Sequence, residues 1–388
     1  MTEEHYLDNA ATTRVLPEAV RLIDQILSED YGNPSSLHRK GHEAEKYIRH
    51  ARTQIADVLK CDSKSVYFTS CATESSNTVI RGVSQRRIHQ GKHILTTQGE
   101  HSATAECLKM LFSQGFEIET LACDASGKVL LEDLRQKIRP DTILVTALHV
   151  NNETGCIQPV EEMAKIIRSQ NSQCLFHVDA TQSFAKYPLF PERWGVGFIS
   201  ASAHKSNGPK GIGLLYIRRG LTLPSLIVGG GQESHFRSGT ENVPYIAAFG
   251  LAAEMMWKER EEILSRMQSL KTELYQSLTS ALDGIHLNGP SLEEGAAHIL
   301  NLRIEGVRSE VLLHSLEDYG VYISSGSACS SNNPSEKSPS LHALGLTPAQ
   351  MDESVRISFG RYSTREDVEA FVKAMKLTVP MLRRFRRK

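Results

Sequence analysis

Apolar residues along the chain follow two alternating rhythms. Ala44, Ile48, Ala51, Ile55 and Val58 recur every three or four positions, which predicts an amphipathic helix over residues 42–60. Val66-Tyr67-Phe68 then reads as a short strand. Compact strand-like runs recur at 93–97, 142–147, 175–178, 198–200 and 213–217, with helical stretches such as 103–114 and 160–169 between several of them. Strands alternating with helices predict a mostly parallel sheet covered on both faces. The rhythm changes after about residue 250. Ile263, Met267, Leu270, Leu274, Leu278 and Leu282 mark one long helix that stops at Gly284. Strand and helix runs follow at 298–304, 310–319, 321–324 and 355–359, with a final helix from Arg365. The expected organisation is a large α/β domain over 16–259 and a small α+β domain from 1–15 and 260–388.

Composition narrows the class. Of 388 residues, 40% are hydrophobic and 23% charged, which excludes disordered and fibrous chains. Lys plus Arg number 44 against 45 for Asp plus Glu, so neither nucleic acid nor an anionic membrane is an expected partner. The longest apolar runs, such as 143–145, fall far short of the about 20 residues a spanning helix needs. The start, Met1-Thr2-Glu3-Glu4-His5, matches neither a secretory signal nor a transit peptide, so a cytoplasmic location is expected. Seven cysteines without a C-x-x-C spacing argue against a disulfide framework or a zinc site, and no resident metal is expected. The basic tail Arg383–Lys388 reads as a solvated helix end.

Ligands of open α/β sheets bind outside the carboxyl ends of the strands, so the residues just past each strand carry the candidate chemistry. After Phe68, Ala72 and Thr73 open a helix whose free N–H groups suit an anion, though taken alone plain capping by Ser70 or Thr73 is the better account. His101 can stack on a flat ring or shuttle a proton, or be an ordinary loop histidine. Asn152 sits in an Asn-Gly turn and can reach a ring substituent. Asp179 can pair with a protonated pyridine nitrogen or cap a helix. Lys205, walled by apolar strands and followed by Gly208-Pro209-Lys210-Gly211, can be desolvated and form a Schiff base. Together these suit pyridoxal 5′-phosphate, which wants a lysine, an acid partner for its ring nitrogen and a helix N-terminus for its phosphate. His101 would cover the ring, Gln182 and Asn152 would reach the ring hydroxyl, and Ser202, His204 and Thr73 would add phosphate contacts. Arg356 can hold a carboxylate by two parallel hydrogen bonds. Cys329, in a Ser/Gly segment with almost no apolar neighbours, reads as a reactive thiol rather than a core residue.

Several motifs, in order, carry a resemblance. They are Asp8-Asn9-Ala10-Ala11-Thr12-Thr13, Tyr31-Gly32-Asn33-Pro34-Ser35-Ser36, Ala72-Thr73-Glu74-Ser75 and His149-Val150-Asn151-Asn152-Glu153. They continue with His177-Val178-Asp179-Ala180-Thr181-Gln182, His204-Lys205, Gly208-Pro209-Lys210-Gly211, Arg237-Ser238-Gly239-Thr240 and Ser325-Gly326-Ser327-Ala328-Cys329. From about residue 6 to about 375 the chain resembles the cysteine desulfurases of the NifS/IscS type, in the group with a long mobile catalytic loop, here about 324–340. The resemblance implies fold type I of the pyridoxal-phosphate enzymes, in the class V aminotransferase branch, as a homodimer. It implies a seven-stranded type of sheet. Lys205 then carries the cofactor, Asp179 pairs with its ring nitrogen, and His101 stacks on the ring and moves protons. Thr73, Ser202 and His204 bind phosphate, with Thr240 contributed by the neighbouring subunit. Asn152 and Arg356 hold the carboxylate of L-cysteine. Cys329 receives the sulfur and passes it to an acceptor protein for Fe–S cluster or thio-cofactor synthesis, with transient cluster ligation a possible part of the transfer. A selenocysteine lyase, an aminotransferase without need of Cys329, and a catalytically dead binding partner are the alternatives. The chain departs from the family pattern at Cys71, at Ser206-Asn207 and in the polar stretch Asn332–Ser338.

Overall fold

The computed structural model describes residues 4–325 and 338–384. In chain order the strands are β1 (His5–Tyr6), β2 (Val66–Thr69), β3 (His93–Thr96), β4 (Glu117–Thr120), β5 (Thr142–Leu148), β6 (Leu175–Asp179) and β7 (Phe198–Ser202). They continue with β8 (Gly213–Ile217), β9 (Ile285–Leu287), β10 (Ile299–Ile304), β11 (Val321–Tyr322), β12 (Ser324–Ser325) and β13 (Ser354–Ser358). Seven of them form the main sheet in the order β2-β8-β7-β6-β5-β3-β4. Within that sheet only β8 runs against its neighbours. All residues of β5, β6, β7 and β8 are buried, as helices on both faces demand, and this is why these strands appear in the sequence as unbroken apolar runs.

A second, antiparallel sheet has the order β12-β13-β10-β9. The Arg365–Arg384 helix packs on both the Ser309–Glu317 helix and the Val243–Ala281 helix. The N-terminal segment runs into this region. β1 pairs in parallel with β11, and Asp8 forms a bridge with Ser358 at the end of β13.

Most expected elements appear with ends moved by a residue or two; the helix expected at 42–60 is Arg39–Leu59. Three differences have physical causes. β4 reads Glu-Ile-Glu-Thr and carries no apolar run, because it is the outer edge of the main sheet and its side chains stay partly exposed. The strand expected at 321–324 is two short strands in different sheets, divided at Ile323. The long helix starts at Val243, well before Ile263, because its first half buries Phe249 among Ala247, Ala248, Ala252 and Ala253, whose small side chains mask the helical period. It ends at Ala281, and Gly284 takes a left-handed φ of 69° just beyond. One continuous helix therefore crosses the expected division at residues 259 and 260. Among the described residues no helix is long and apolar enough to cross a membrane.

The Val243–Ala281 helix lies closely across the Arg39–Leu59 helix at Gly250. A Cβ there would stand 2.6 Å from Ala51 Cα and 2.7 Å from its Cβ. A helical Gly→Ala change ordinarily stabilises by about 1 kcal/mol. At Gly250 the forced separation of two backbones should outweigh that gain, with a net loss of about 1–3 kcal/mol by the usual cost of overpacking. Thermal melting of Gly250→Ala beside the parent protein tests this, and an unchanged or raised midpoint would contradict it.

Candidate active site

The parallel strands end side by side, with Asp179 paired to Leu148 of β5 and to Ser200 of β7. Asp179 is buried at 2% exposure. Its Oδ1 accepts from the Thr181 N–H at 2.9 Å and from the Thr181 hydroxyl at 2.5 Å. Among the described residues its Oδ2 has no hydrogen-bond partner. Lys205 closes a single turn, Ala203–Lys205, directly after β7, and its Nζ donates to the carbonyls of Ala10 and Ala11. Gln182 donates from Nε2 to the same Ala10 carbonyl at 2.9 Å, while its Oε1 is buried without a partner. The motif Asp8–Thr13 thus forms one wall of the site.

A second lysine, which the sequence reading missed, lies behind Lys205. Lys186 Nζ donates to the Lys205 carbonyl at 2.7 Å and to the Gln182 carbonyl at 3.1 Å. Burial, reinforced by the charge of Lys205, pushes Lys186 down to about 7. The available signal was a lysine standing in the otherwise apolar and small stretch Ser183-Phe184-Ala185-Lys186.

The Ala72–Arg86 helix points its N-terminus at the end of β7. The Ala72 N–H donates to Ser202 Oγ at 2.8 Å, which joins two of the expected phosphate contacts. Cys71 occupies the cap position without a side-chain cap bond, and Thr73 is exposed beside it. His204 Nδ1 lies 3.2 Å from Thr12 Oγ1. Burial, then the charges of Lys205, Lys210 and Lys186, push His204 down to about 4. Thr240 is exposed and lines, with Thr69, Ser70 and Gly211, a cavity of about 150 Å³. The Ser206-Asn207 departure is structural: Ser206 donates to the Phe184 carbonyl, and Asn207 adopts a left-handed φ of 60° and donates to the Arg14 carbonyl.

His101 caps the Ser102–Ser113 helix, its Nδ1 accepting from the Ala103 N–H at 3.1 Å. A neutral ring in this arrangement carries its proton on Nε2. Burial lowers the ring's proton affinity, Asp179 opposes that and Lys205 adds to it. Its neighbour Glu100 is buried, accepts from the Thr97 hydroxyl and from the Leu148 N–H at 2.9 Å, and is pushed up to about 7, chiefly by burial.

Arg356 on β13 is buried. Its Nη1 donates to the Asn152 carbonyl at 2.9 Å and its Nη2 to Asp8 Oδ1 at 2.8 Å, while Nε is buried without a partner. Arg356 and Asn152 are therefore together as expected, but through the Asn152 backbone, and the ion pair with Asp8 was not anticipated. Cys329 lies outside the described residues. None of the six described cysteines is in a disulfide, and burial pushes the thiols of Cys61, Cys107, Cys156 and Cys174 up to between about 11 and about 12. Those four are inert packing thiols.

A family profile described as Aminotransferase class-V matches residues 5–371, and the chain belongs to that family. Among its relatives is a NifS/IcsS protein homolog of Lactobacillus delbrueckii subsp. bulgaricus, 40% identical over 95% of both chains. Another is a protein named cysteine desulfurase IscS of Dictyoglomus turgidum, 38% identical over 99% of this chain and 96% of the relative. A solved NifS-like protein superposes with a TM-score of 0.92 at 36% identity, covering 98% of this chain and 100% of the other. The structure titled SspA in complex with cysteine covers 93% of this chain and 100% of its own, with a TM-score of 0.81 at 32% identity. The fold is thus the α/β architecture of the NifS-like structures.

The His101 environment makes a direct prediction. In cofactor-free protein labelled at histidine, the His101 ring should titrate below the ordinary 6.5, with Nε2 carrying the proton of the neutral form. Nitrogen-15 NMR over a pH series reads both, and a midpoint above 6.5 would show that Asp179 outweighs burial.

Proposed function

We propose that the protein is a pyridoxal 5′-phosphate-dependent cysteine desulfurase, which converts L-cysteine to L-alanine and leaves a persulfide on Cys329. The observation that carries the reading is the convergence of Lys205, Asp179 and Gln182 at the carboxyl ends of the parallel strands, with Gln182 Oε1 buried and still without a partner. The residues present fit the cofactor. The buried Gln182 Oε1 lacks a donor, which a ring hydroxyl would supply, and Asp179 Oδ2 is available to a protonated ring nitrogen. Lys205 Nζ would hold the aldehyde carbon, and His101 would lie over the ring. The helix start at Ala72 and Thr73, with Ser202, His204 and Thr240 of a second subunit, would hold the phosphate. Bound there, the cofactor supplies a sink for the electrons of bonds broken next to the substrate amino group.

The chain's own groups do the rest. The Arg356 fork takes the substrate carboxylate, exchanging Asp8 for it, and Asn152 lies against the same group. Lys205 Nζ takes the proton from Cα and returns one later. His101, neutral and protonated on Nε2, moves protons beside it. The Cys329 thiolate attacks the substrate sulfur: an S–S bond forms as the Cβ–S bond breaks, and the carbon keeps the electron pair and takes a proton. Cysteine and a thiol become alanine and a persulfide, with no outside oxidant or reductant. The described ends of the segment carrying Cys329 support this role. Ser324, just before it, pairs with Arg356 across β12 and β13, and Ser338, just after it, donates to Glu153 beside Asn152. The reading includes a homodimer, a cytoplasmic location and delivery of sulfur to an acceptor protein such as an Fe–S scaffold. It also keeps the division into a large domain over 16–259 and a small one from the remainder.

Cys329→Ser should bind cofactor and cysteine as the parent does, yet release no alanine. The parent, incubated with cysteine, should carry one extra sulfur on the Cys329 peptide, removable by dithiothreitol and visible by mass spectrometry. Alanine release by the Ser variant would overturn the assignment. Arg356→Lys should raise KM for cysteine about tenfold or more with a smaller change in kcat, because a lysine keeps the charge and loses the fork. Steady-state kinetics would contradict this with an unchanged KM.

A further inference from the structure

The turn that follows β5 makes contacts in two directions. Asn151 Oδ1 accepts from the N–H groups of Glu153 and Thr154, both at 2.9 Å, which closes a rigid turn. In one direction, the Asn152 carbonyl of that turn receives Arg356 Nη1. In the other, the turn grips residues 338–340. Glu153 Oε2 accepts from the Ser338 hydroxyl, Glu153 Oε1 accepts from the Ser340 hydroxyl at 3.2 Å, and Asn151 Nδ2 donates to Ser340 Oγ at 3.0 Å. The fit is close: a Cβ on Gly99 would stand 2.6 Å from Ser340 Oγ. We propose that Glu153 is a positioning residue that fixes where the chain returns after Cys329, from the same turn that holds the substrate-binding Arg356. The proposal rests on the desulfurase reading above.

Helix capping alone does not account for Glu153. The Ser338 side chain already caps the short Pro339–Ala343 helix by accepting from the Leu341 N–H at 3.0 Å. A carboxyl group set into this pocket is costly to desolvate, and burial does push Glu153 up, with Ser338, the Arg356 charge and Ser340 pulling it back. Ser338 itself sits at φ 32°, ψ 90°, a conformation that a residue with a side chain adopts only when its surroundings hold it there. The bond to the Glu153 carboxylate is one such restraint. On the other side of Cys329, Ser324 is already fixed by pairing with Arg356. Both described ends of the segment are thereby referred to the one guanidinium that meets the substrate.

The test uses cofactor-loaded protein and three measurements on Glu153→Ala, Glu153→Gln, Ser340→Ala and the Glu153→Ala/Ser340→Ala double variant. Equilibrium cysteine binding, read by the cofactor's absorbance change, should stay within about twofold. Arrival of sulfur on Cys329 in a single turnover, read by mass spectrometry, should slow about tenfold or more in Glu153→Ala, since small misplacement of reacting groups is costly. Hydrogen exchange of the amides of Leu341 and His342 should quicken. Ser340→Ala should move both readouts less, because Ser338 keeps its bond to Glu153, and the double variant should lose less than the two single losses combined, because both singles remove the one Ser340–Glu153 bond. Sulfur arrival at the parent rate in both Glu153 variants would overturn the proposal, as would unchanged exchange. Should Glu153→Ala fail to fold, Glu153→Gln and Ser340→Ala carry the same comparison. If the parent itself places no sulfur on Cys329, the desulfurase reading fails, and the exchange data alone decide whether Glu153 anchors residues 338–340.

Discussion

Strands β5, β6 and β7 run parallel and in register, so Leu148 and Asp179 end their strands side by side, with Ser200 of β7 next to Asp179. Everything the site does depends on that alignment. From Ser200 a row of buried hydrogen bonds crosses the same strands. His177 meets Thr146 of β5 at 2.8 Å and Ser200 of β7 at 3.0 Å, and Ser200 meets Ser76 of the Ala72–Arg86 helix at 2.9 Å. Burial pushes His177 down to about 4, so it is neutral and donates through one nitrogen while accepting through the other. The row ties three strands and one helix together two residues short of Asp179. It leaves the carboxylate and the following turn little freedom to drift.

The site's electrostatics follow from the same burial. Lys205 and Lys186 bring amines that donate to backbone carbonyls, and Arg356 divides its donors between the Asn152 carbonyl and Asp8. His298, buried with neither ring nitrogen partnered, is driven well down by burial and by Lys186, Lys271 and Arg356, and so adds no charge. Such a basin favours a phosphate and a carboxylate together. Asp8 and Asp179 set its limits, one neutralising Arg356 and the other lying at the carboxyl end of β6.

Legibility in the sequence tracked burial. Strands covered on both faces announce themselves as apolar runs, so β5 to β8 could be read from the chain alone, and with them the places of Asp179, Gln182 and Lys205 just past β6 and β7. What could not be read is what depends on distant residues. The Asp8–Arg356 pair joins positions 348 apart, and no local pattern marks it. Lys186 acts through backbone carbonyls, which leave no trace in residue type. β4 escaped because an edge strand need not be apolar, and Glu153 escaped because a carboxylate in a polar turn looks like solvated surface.

The N-terminal segment ties the two sheets of the site together. Its first strand pairs with β11, Asp8 pairs with Arg356, and the Ala10 and Ala11 carbonyls receive Lys205. The main sheet draws its seven strands from residues 66–217 and uses none of this segment. One short stretch thus serves both halves of the site, giving Lys205 its wall and Arg356 its counter-ion. Loosening it would leave the ladder of the main sheet intact and disturb both groups at once.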